Sequence, residues 1–511
     1  MIFSNPLIQS LSNMANTHPD FPVLRNKNRK ITAGELFVRS NQIASGLLTF
    51  DFKKDDLVVM ATEPGEAFLE IMYAVILLQG KIAIIDPEMG RENYAAKMKQ
   101  LQPQWMFIDS RLLFLQEHPV LKNLLSRSGK KIPEISLLPG VRLISVGRKL
   151  PVFRKHISFK YFSNVSPLPA LPLYAPGHTE NIIIYTSGTL SVPKGVVHTG
   201  YSLGSSITGL KNLLAANRNA IVGASLPHFM LLGITAGIPV KMKRKNMSAS
   251  EEINWIDKEN IGVLFGPPSD YLPLIRYCEK KKRELPACLQ HILLGSAPVH
   301  LRFLKRLITV LPGHTQLTCI YGMTENLLVC TIDGRQKVNY TGSGDLLGKP
   351  VCGVSIKIEA DGEIFVKSGQ LFSRYFHEAG RSEWHASGDL GEVDEKGNLI
   401  LRGRKKEMII RRNMNIYPAL YENTIKNIKG VEEAAIVGVY DERIEDEKIY
   451  LALEGTGLNL HHIRSQLNYG IHSIDKEALP DHIFEMVIPR KGRQNKIDRF
   501  SIIEHIKKNA L

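Results

Sequence analysis

The sequence predicts an α/β protein of two domains, on three observations. At 511 residues the chain exceeds what one hydrophobic core ordinarily organises. Short apolar runs alternate with longer stretches of helical spacing along most of it. Near residue 360 the texture changes to short alternating strands, then to a compact mixed unit.

The apolar runs at 57–61, 82–85, 141–146, 182–185, 263–265 and 316–320 predict buried strands, and the spacing at 64–79 and 201–214 predicts helices. Strands alternating with helices imply parallel sheets covered on both faces, with active sites beyond the carboxyl ends of the strands. Further along, 362–366, 391–394, 399–402 and 408–410 read as short strands, with 395–398 as a hairpin turn. A helix over 418–428, strands over 431–439 and 448–453 and a helix from Leu460 follow. A domain boundary is expected within the charged stretch 403–407.

Composition narrows the function classes. With 44% hydrophobic and 23% charged residues, the chain is neither disordered nor fibrous. Its net charge of +15 favours anionic partners without selecting among nucleotides, CoA, acidic carrier proteins, membrane surfaces and nucleic acid. No nucleic-acid recognition motif is present, so that class ranks low. Five cysteines without a Cys-x-x-Cys pair predict reduced thiols in a cytoplasmic protein. The N-terminus lacks a signal-peptide pattern, and the longest apolar tracts, 71–78 and 229–240, fall short of the roughly 20 residues that span a bilayer, so no transmembrane segment is expected.

The most informative segment is Tyr185-Thr186-Ser187-Gly188-Thr189-Leu190-Ser191-Val192-Pro193-Lys194-Gly195. Glycines let the backbone approach an anion, hydroxyls and successive N–H groups donate to phosphate oxygens, and Lys194 adds a point charge. A Walker loop is excluded, because no Gly-Lys-Ser/Thr follows at the required spacing. The segment resembles the signature Tyr-Thr-Ser-Gly-Thr-Thr-Gly-x-Pro-Lys-Gly of the adenylate-forming superfamily, matching eight of its ten specified positions. That superfamily includes acyl-CoA synthetases, fatty-acyl-AMP ligases, luciferases and adenylation domains.

Further segments follow in the superfamily's order. Residues 32–47 resemble its N-terminal helix entry. Gly295-Ser296-Ala297 resembles a turn that lies against adenine, and Tyr321-Gly322-Met323-Thr324-Glu325 matches Tyr-Gly-x-Thr-Glu. Ser387-Gly388-Asp389 resembles Thr-Gly-Asp, 403–407 resembles Gly-Arg-x-Lys/Asp-Asp, and 489–499 resembles the C-terminal lysine signature.

The resemblance implies a large N-terminal domain of stacked α/β subdomains, residues 1–403, joined by a hinge to a small mobile α+β domain, residues 404–511. It implies that Thr186, Ser187, Gly188, Thr189 and Lys194 hold the phosphates of ATP, while Gly295, Ser296, Ala297 and Tyr321 flank adenine. Asp389 and Arg404 then serve the ribose and phosphate side, Thr324 the α-phosphate, Glu325 a Mg²⁺ ion, Lys406 the hinge, and Lys496 the reacting carboxylate. The reaction implied is adenylation of a small-molecule carboxylic acid, of the fatty acid class, with transfer to CoA or to an acidic acyl carrier protein supplied in trans. A non-CoA acceptor, including a β-lactone-forming type, and a non-catalytic nucleotide- or acyl-binding relative are the alternatives.

Two segments stay open at this level. Related synthetases carry Gly-Gly-x-Asn-Ile-Tyr-Pro where this chain has Arg412-Asn413-Met414-Asn415-Ile416-Tyr417-Pro418, so Arg412 either narrows the thiol path or binds CoA phosphates. The apolar segment 226–233, with Met230 where histidine is frequent, suits either an acyl pocket or a core stripe. The basic clusters 25–30, 241–245, 280–283 and 490–493 read as solvated faces.

Overall fold

A computed structural model describes residues 5–26, 29–85, 91–127, 135–168, 177–186, 194–217, 219–224, 227–244, 246–297, 299, 301–342, 345–404, 409–412, 414–416, 418–491 and 496–509. Internal packing divides the chain into two units. The first comprises 1–84, 158–184 and 195–405, and the second comprises 85–157, 185–194 and 406–511. Both are mixed α/β.

In the first unit the described residues build a sheet of thirteen strands whose character changes partway across. From Pro22–Asn26 through Val240–Met242, Ile221–Ala224, Ile261–Gly266 and His291–Leu294 to Gln316–Met323, neighbouring strands run parallel. From Gln316–Met323 onward, through Asn326–Asp333, Asp345–Pro350, Leu399–Arg404, His385–Val393, Glu363–Ser368 and Val354–Ile358, they run antiparallel. The short continuous apolar runs fit the parallel half, since Ile221–Ala224 and His291–Leu294 are buried throughout, as strands covered on both faces are. Helices on these faces start on side-chain caps: Thr32 and Glu35 form a reciprocal capping box, as do Ser248 and Glu251.

The same unit holds a second run of strands, in which Leu57–Ala61 pairs parallel with Lys81–Ile84 and Lys81–Ile84 with Glu180–Thr186. The expected helices are Glu66–Leu77 and Gly200–Leu213. The apolar segment resolves as core: Phe229, Met230, Leu231, Leu232, Ile234 and Ile238 are each at most 2% exposed. The cluster 241–245 is not a simple solvated face either. Lys241 is buried on Glu259 at 2.9 Å and Lys243 pairs with Glu252 at 2.6 Å.

In the second unit, Trp105–Asp109 and Arg142–Val146 pair parallel beside the helices Ser110–Glu117 and Pro119–Arg127. Its C-terminal part is a long hairpin, Val431–Asp441 with Asp446–Gly455, extended in parallel by His482–Glu485. Alternation along the hairpin sends Ile436, Ile449 and Leu451 to one core, with Ile463 and Leu467, and Val437, Tyr450 and Ala452 to another, with Ile502 and Ile506. The five cysteines are unpaired. Among the described residues no helix is long and apolar enough to cross a membrane.

Candidate active site

The change from parallel to antiparallel pairing places the Tyr-Gly-x-Thr-Glu segment. Gln316–Met323 is the last strand of the parallel half, and its carboxyl end carries Tyr321, Gly322 and Met323. Thr324 and Glu325 form the two-residue turn into Asn326–Asp333, with Met323 opposite Asn326. They therefore form a hairpin turn. Close approach of the two strands requires glycine at 322, where an added Cβ would lie 2.1 Å from the Leu327 carbonyl oxygen. The neighbouring parallel strand, His291–Leu294, ends in Gly295-Ser296-Ala297. Gly295 donates its N–H to the Gly266 carbonyl at 3.2 Å and packs beside Ile320, while Ser296 sits exposed at φ +66°, the left-handed region that favours glycine. Both segments thus end at carboxyl edges of adjacent parallel strands, where ligands bind in open α/β sheets.

From the antiparallel half comes Asp389, 3% exposed on His385–Val393. The Tyr321 hydroxyl donates to Asp389 Oδ2 at 2.7 Å, and the Ser387 hydroxyl accepts the Asp389 N–H at 3.1 Å. Gly388, at φ +75°, turns its N–H to Glu363 Oε1 at 3.1 Å. Arg404 lies directly opposite Asp389 in the strand register. Its side chain is outside the described residues.

Two residues that sequence reasoning missed tie the Thr324–Glu325 turn to the strand Lys194–Thr199, which leaves the glycine- and hydroxyl-rich segment 185–195. His198 is fully buried and its Nε2–H donates to the Thr324 carbonyl at 2.8 Å, leaving Nδ1 to face the Ser202 hydroxyl at 3.1 Å. Tyr375 donates its hydroxyl to Glu325 Oε1 at 2.9 Å and pairs in register with Val196. The backbone of Phe372 donates to the Glu325 carbonyl at 2.8 Å. Neither residue belongs to a contiguous motif with Thr324 or Glu325. The only local signal was a polar histidine inside the apolar strand that follows Lys194-Gly195.

Burial also sets the protonation of His198. Desolvation pulls its imidazole down to about 4, against the Thr324 hydrogen bond, which favours the charged form. His291, held between Asn217 Oδ1 at 3.0 Å and the Thr318 hydroxyl at 2.8 Å, is likewise pulled down by burial to about 4. Both folded-state values lie below the ordinary 6.5, so the unfolded chain takes up these protons first. Stability is therefore complete above pH 6.5 and falls as pH drops toward 4, by about 1.4 kcal/mol per pH unit for each histidine. Urea midpoints followed from neutral pH downward check this, and His291→Gln should flatten the slope. A midpoint that stays level through that window contradicts the neutral assignment.

The remaining expected residues divide by unit and by description. Thr186 ends the strand Glu180–Thr186 and Lys194 begins the next, partly buried. Ser187, Gly188, Thr189 and Lys406 lie outside the described residues, as does the Thr186 side chain. Lys496 belongs to the second unit, where its backbone pairs with Lys491 in a short antiparallel ladder, and its side chain is outside the described residues. In that same unit Arg412 holds φ +56°, the conformation that suits glycine. Its N–H donates to both Asp446 carboxylate oxygens at 2.9 and 3.0 Å, and its guanidinium pairs with Glu477 at 3.2 Å.

Comparison with known proteins places the chain in a family. The 2-succinylbenzoate–CoA ligase of Bacillus subtilis is 24% identical over 457 residues, covering 85% of this chain and 85% of the ligase. The long-chain-fatty-acid–CoA ligase FadD13 of Mycobacterium tuberculosis is 28% identical over 293 residues, covering 53% of this chain and 57% of that enzyme. Among solved structures, a double mutant of the B. subtilis o-succinylbenzoate CoA synthetase bound to a product analogue superposes with a TM-score of 0.80 at 20% identity, over 98% of each chain, which is a likeness of fold. Residues 11–376 match the sequence profile of the AMP-binding enzymes. The chain belongs to the AMP-binding enzyme family, the adenylate-forming superfamily whose motifs it carries in order, and is an AMP-forming enzyme of the ligase type.

Proposed function

We propose that the protein is an ATP-dependent carboxylic acid ligase that adenylates a fatty acid and passes the acyl group to a thiol. The observation that carries this reading is the convergence of Tyr321, Asp389, Thr324 and Glu325 at one edge of the sheet, tied through His198 and Tyr375 to the strand that leaves the phosphate-loop segment. Asp389 is an acceptor for ribose hydroxyls, already oriented by Tyr321. Thr324 faces the α-phosphate. Glu325, a partly buried carboxylate steadied by Tyr375, fits a Mg²⁺ ion, which takes one or two protein carboxylates and completes its shell with phosphate oxygens and water. Such an ion supplies charge neutralisation at the phosphates.

In the first half-reaction a carboxylate oxygen attacks the α-phosphorus, the new C–O–P linkage forms, the α–β bridging bond breaks and pyrophosphate leaves. Both reactants are anionic, so Lys194 and Lys496 serve by bringing positive charge to the reacting groups. Residues 404–511 form a mobile domain in this scheme and Lys406 is its hinge. In the second half-reaction a thiol sulfur attacks the acyl carbon and AMP leaves. The fatty acid assignment draws support from the likeness to FadD13.

Arg412 favours a particular form of the acceptor step. It holds φ +56°, a conformation that suits the glycine which related synthetases carry here, while adding a guanidinium held by Glu477, so the acceptor reaches the adenylate past a bulkier loop. Thioester formation with free CoA is then slow, and a pantetheinyl carrier protein is the alternative acceptor. Pyrophosphate exchange measured over acids of graded chain length, followed by addition of CoA or an acidic acyl carrier protein, tests both parts. Exchange that peaks with long acids, and faster transfer to the carrier than to CoA, is expected. Nucleotide binding without exchange for any acid would reveal a binder, and rapid acyl-CoA formation would remove the role given to Arg412.

A further inference from the structure

The second unit carries a basic, apolar face that nucleotide chemistry does not use. The helix Pro119–Arg127 leaves Val120 73%, Leu121 39% and Leu124 57% exposed, three aliphatic side chains that fall on one side at helical spacing. Phe153 is 87% exposed, the most exposed large apolar residue among those described. It is also held in place. Glu117 accepts the N–H groups of Phe153 and Arg154 at 2.6 and 2.8 Å, and the Phe153 ring lies against His118, which in turn stacks on Phe114 with centroids 4.0 Å apart. His118 is the residue between the helices Ser110–Glu117 and Pro119–Arg127, so Phe153 stands beside the start of the exposed helical stripe.

Charge along this part of the chain is one-sided. Residues 118–127 and 135–155 contain seven Lys or Arg and no Asp or Glu, close to half of the whole chain's excess of 15. Arg148, Lys149, Arg154 and Lys155 are exposed and lie within five residues of Phe153 in sequence. The nearest carboxylate, Glu117, is engaged with the backbone of the Phe153 tip and with Arg154. Apolar groups that project outward within a collar of cations fit a lipid surface, where the apolar tips enter the headgroup boundary and the cations meet anionic headgroups. A protein interface fits less well, because interface cores are depleted in lysine and this face projects apolar side chains.

We propose that this face docks the protein peripherally on an anionic phospholipid bilayer. The test is co-sedimentation of the full chain with phosphatidylcholine vesicles, with and without a minority of phosphatidylserine, at low and high salt. Binding is expected only with phosphatidylserine and should be released by salt. Arg148→Glu with Lys149→Glu, and separately Leu124→Asp with Phe153→Asp, should each weaken partitioning by about tenfold or more. All four side chains are exposed, and pyrophosphate exchange with a short soluble acid, together with the unfolding midpoint, should stay at the parent value and report an intact fold. Three results would each overturn the proposal: no binding to phosphatidylserine vesicles, equal binding by both variants, or binding of an acidic carrier protein to this face without any vesicle binding.

Discussion

Lys496→Ala is expected to slow adenylate formation by about 10²- to 10³-fold while leaving nucleotide affinity close to the parent value. A carboxylate approaching a polyphosphate meets like charge, and a cation placed between them acts on the transition state more than on either bound reactant. The effect should therefore fall on the exchange rate at saturating ATP, with little change in nucleotide titration. Lys496 begins a short strand that pairs back onto Arg490–Lys491, which anchors its backbone. Exchange at the parent rate in the alanine variant would refute the assignment and with it the ligase mechanism proposed above.

The second large effect is structural in origin and catalytic in consequence. Gly322→Ala places a methyl group 2.1 Å from the Leu327 carbonyl oxygen and 2.7 Å from its carbon, both backbone atoms that no rotamer change can move. Relief requires the strands Gln316–Met323 and Asn326–Asp333 to part, where a register shift already separates Tyr321 from Met323. Stability should fall by about 3 kcal/mol, and the apparent KM for ATP should rise because Tyr321 and the Thr324–Glu325 turn move together. Gly313→Ala is the control. Nothing lies within 4 Å of its added Cβ, and it should change neither quantity. A Gly322→Ala protein with the parent's unfolding midpoint and KM would show that the close approach has no bearing on the site.

Much of this was legible from residue order, for reasons that differ by residue. Leu57–Ala61 was read with both ends correct, because a strand buried on every residue leaves an uninterrupted apolar run. Ends were less well marked elsewhere: the run read as 316–320 continues through Met323, since Tyr321 and Gly322 extend the ladder while carrying motif chemistry. Tyr321 and Asp389 were named separately, but their hydrogen bond joins residues 68 apart and depends on strand order, which periodicity does not encode. His198 and Tyr375 were missed for the same reason. Each acts through a partner supplied by a distant strand, so nothing in its own neighbourhood marks it. Methionine 230 and its neighbours show the opposite limit, since an apolar helix against a core and one against a ligand share a single pattern.

A hairpin linked by only two residues has no slack. The Glu325 carboxylate stands one residue from the Met323–Asn326 pair, so a residue added inside the turn would lengthen the loop and re-aim that carboxylate. An insertion here would therefore act first on Glu325. Drift in substrate choice must come from elements farther from the turn, while whatever meets this carboxylate has to adjust to it.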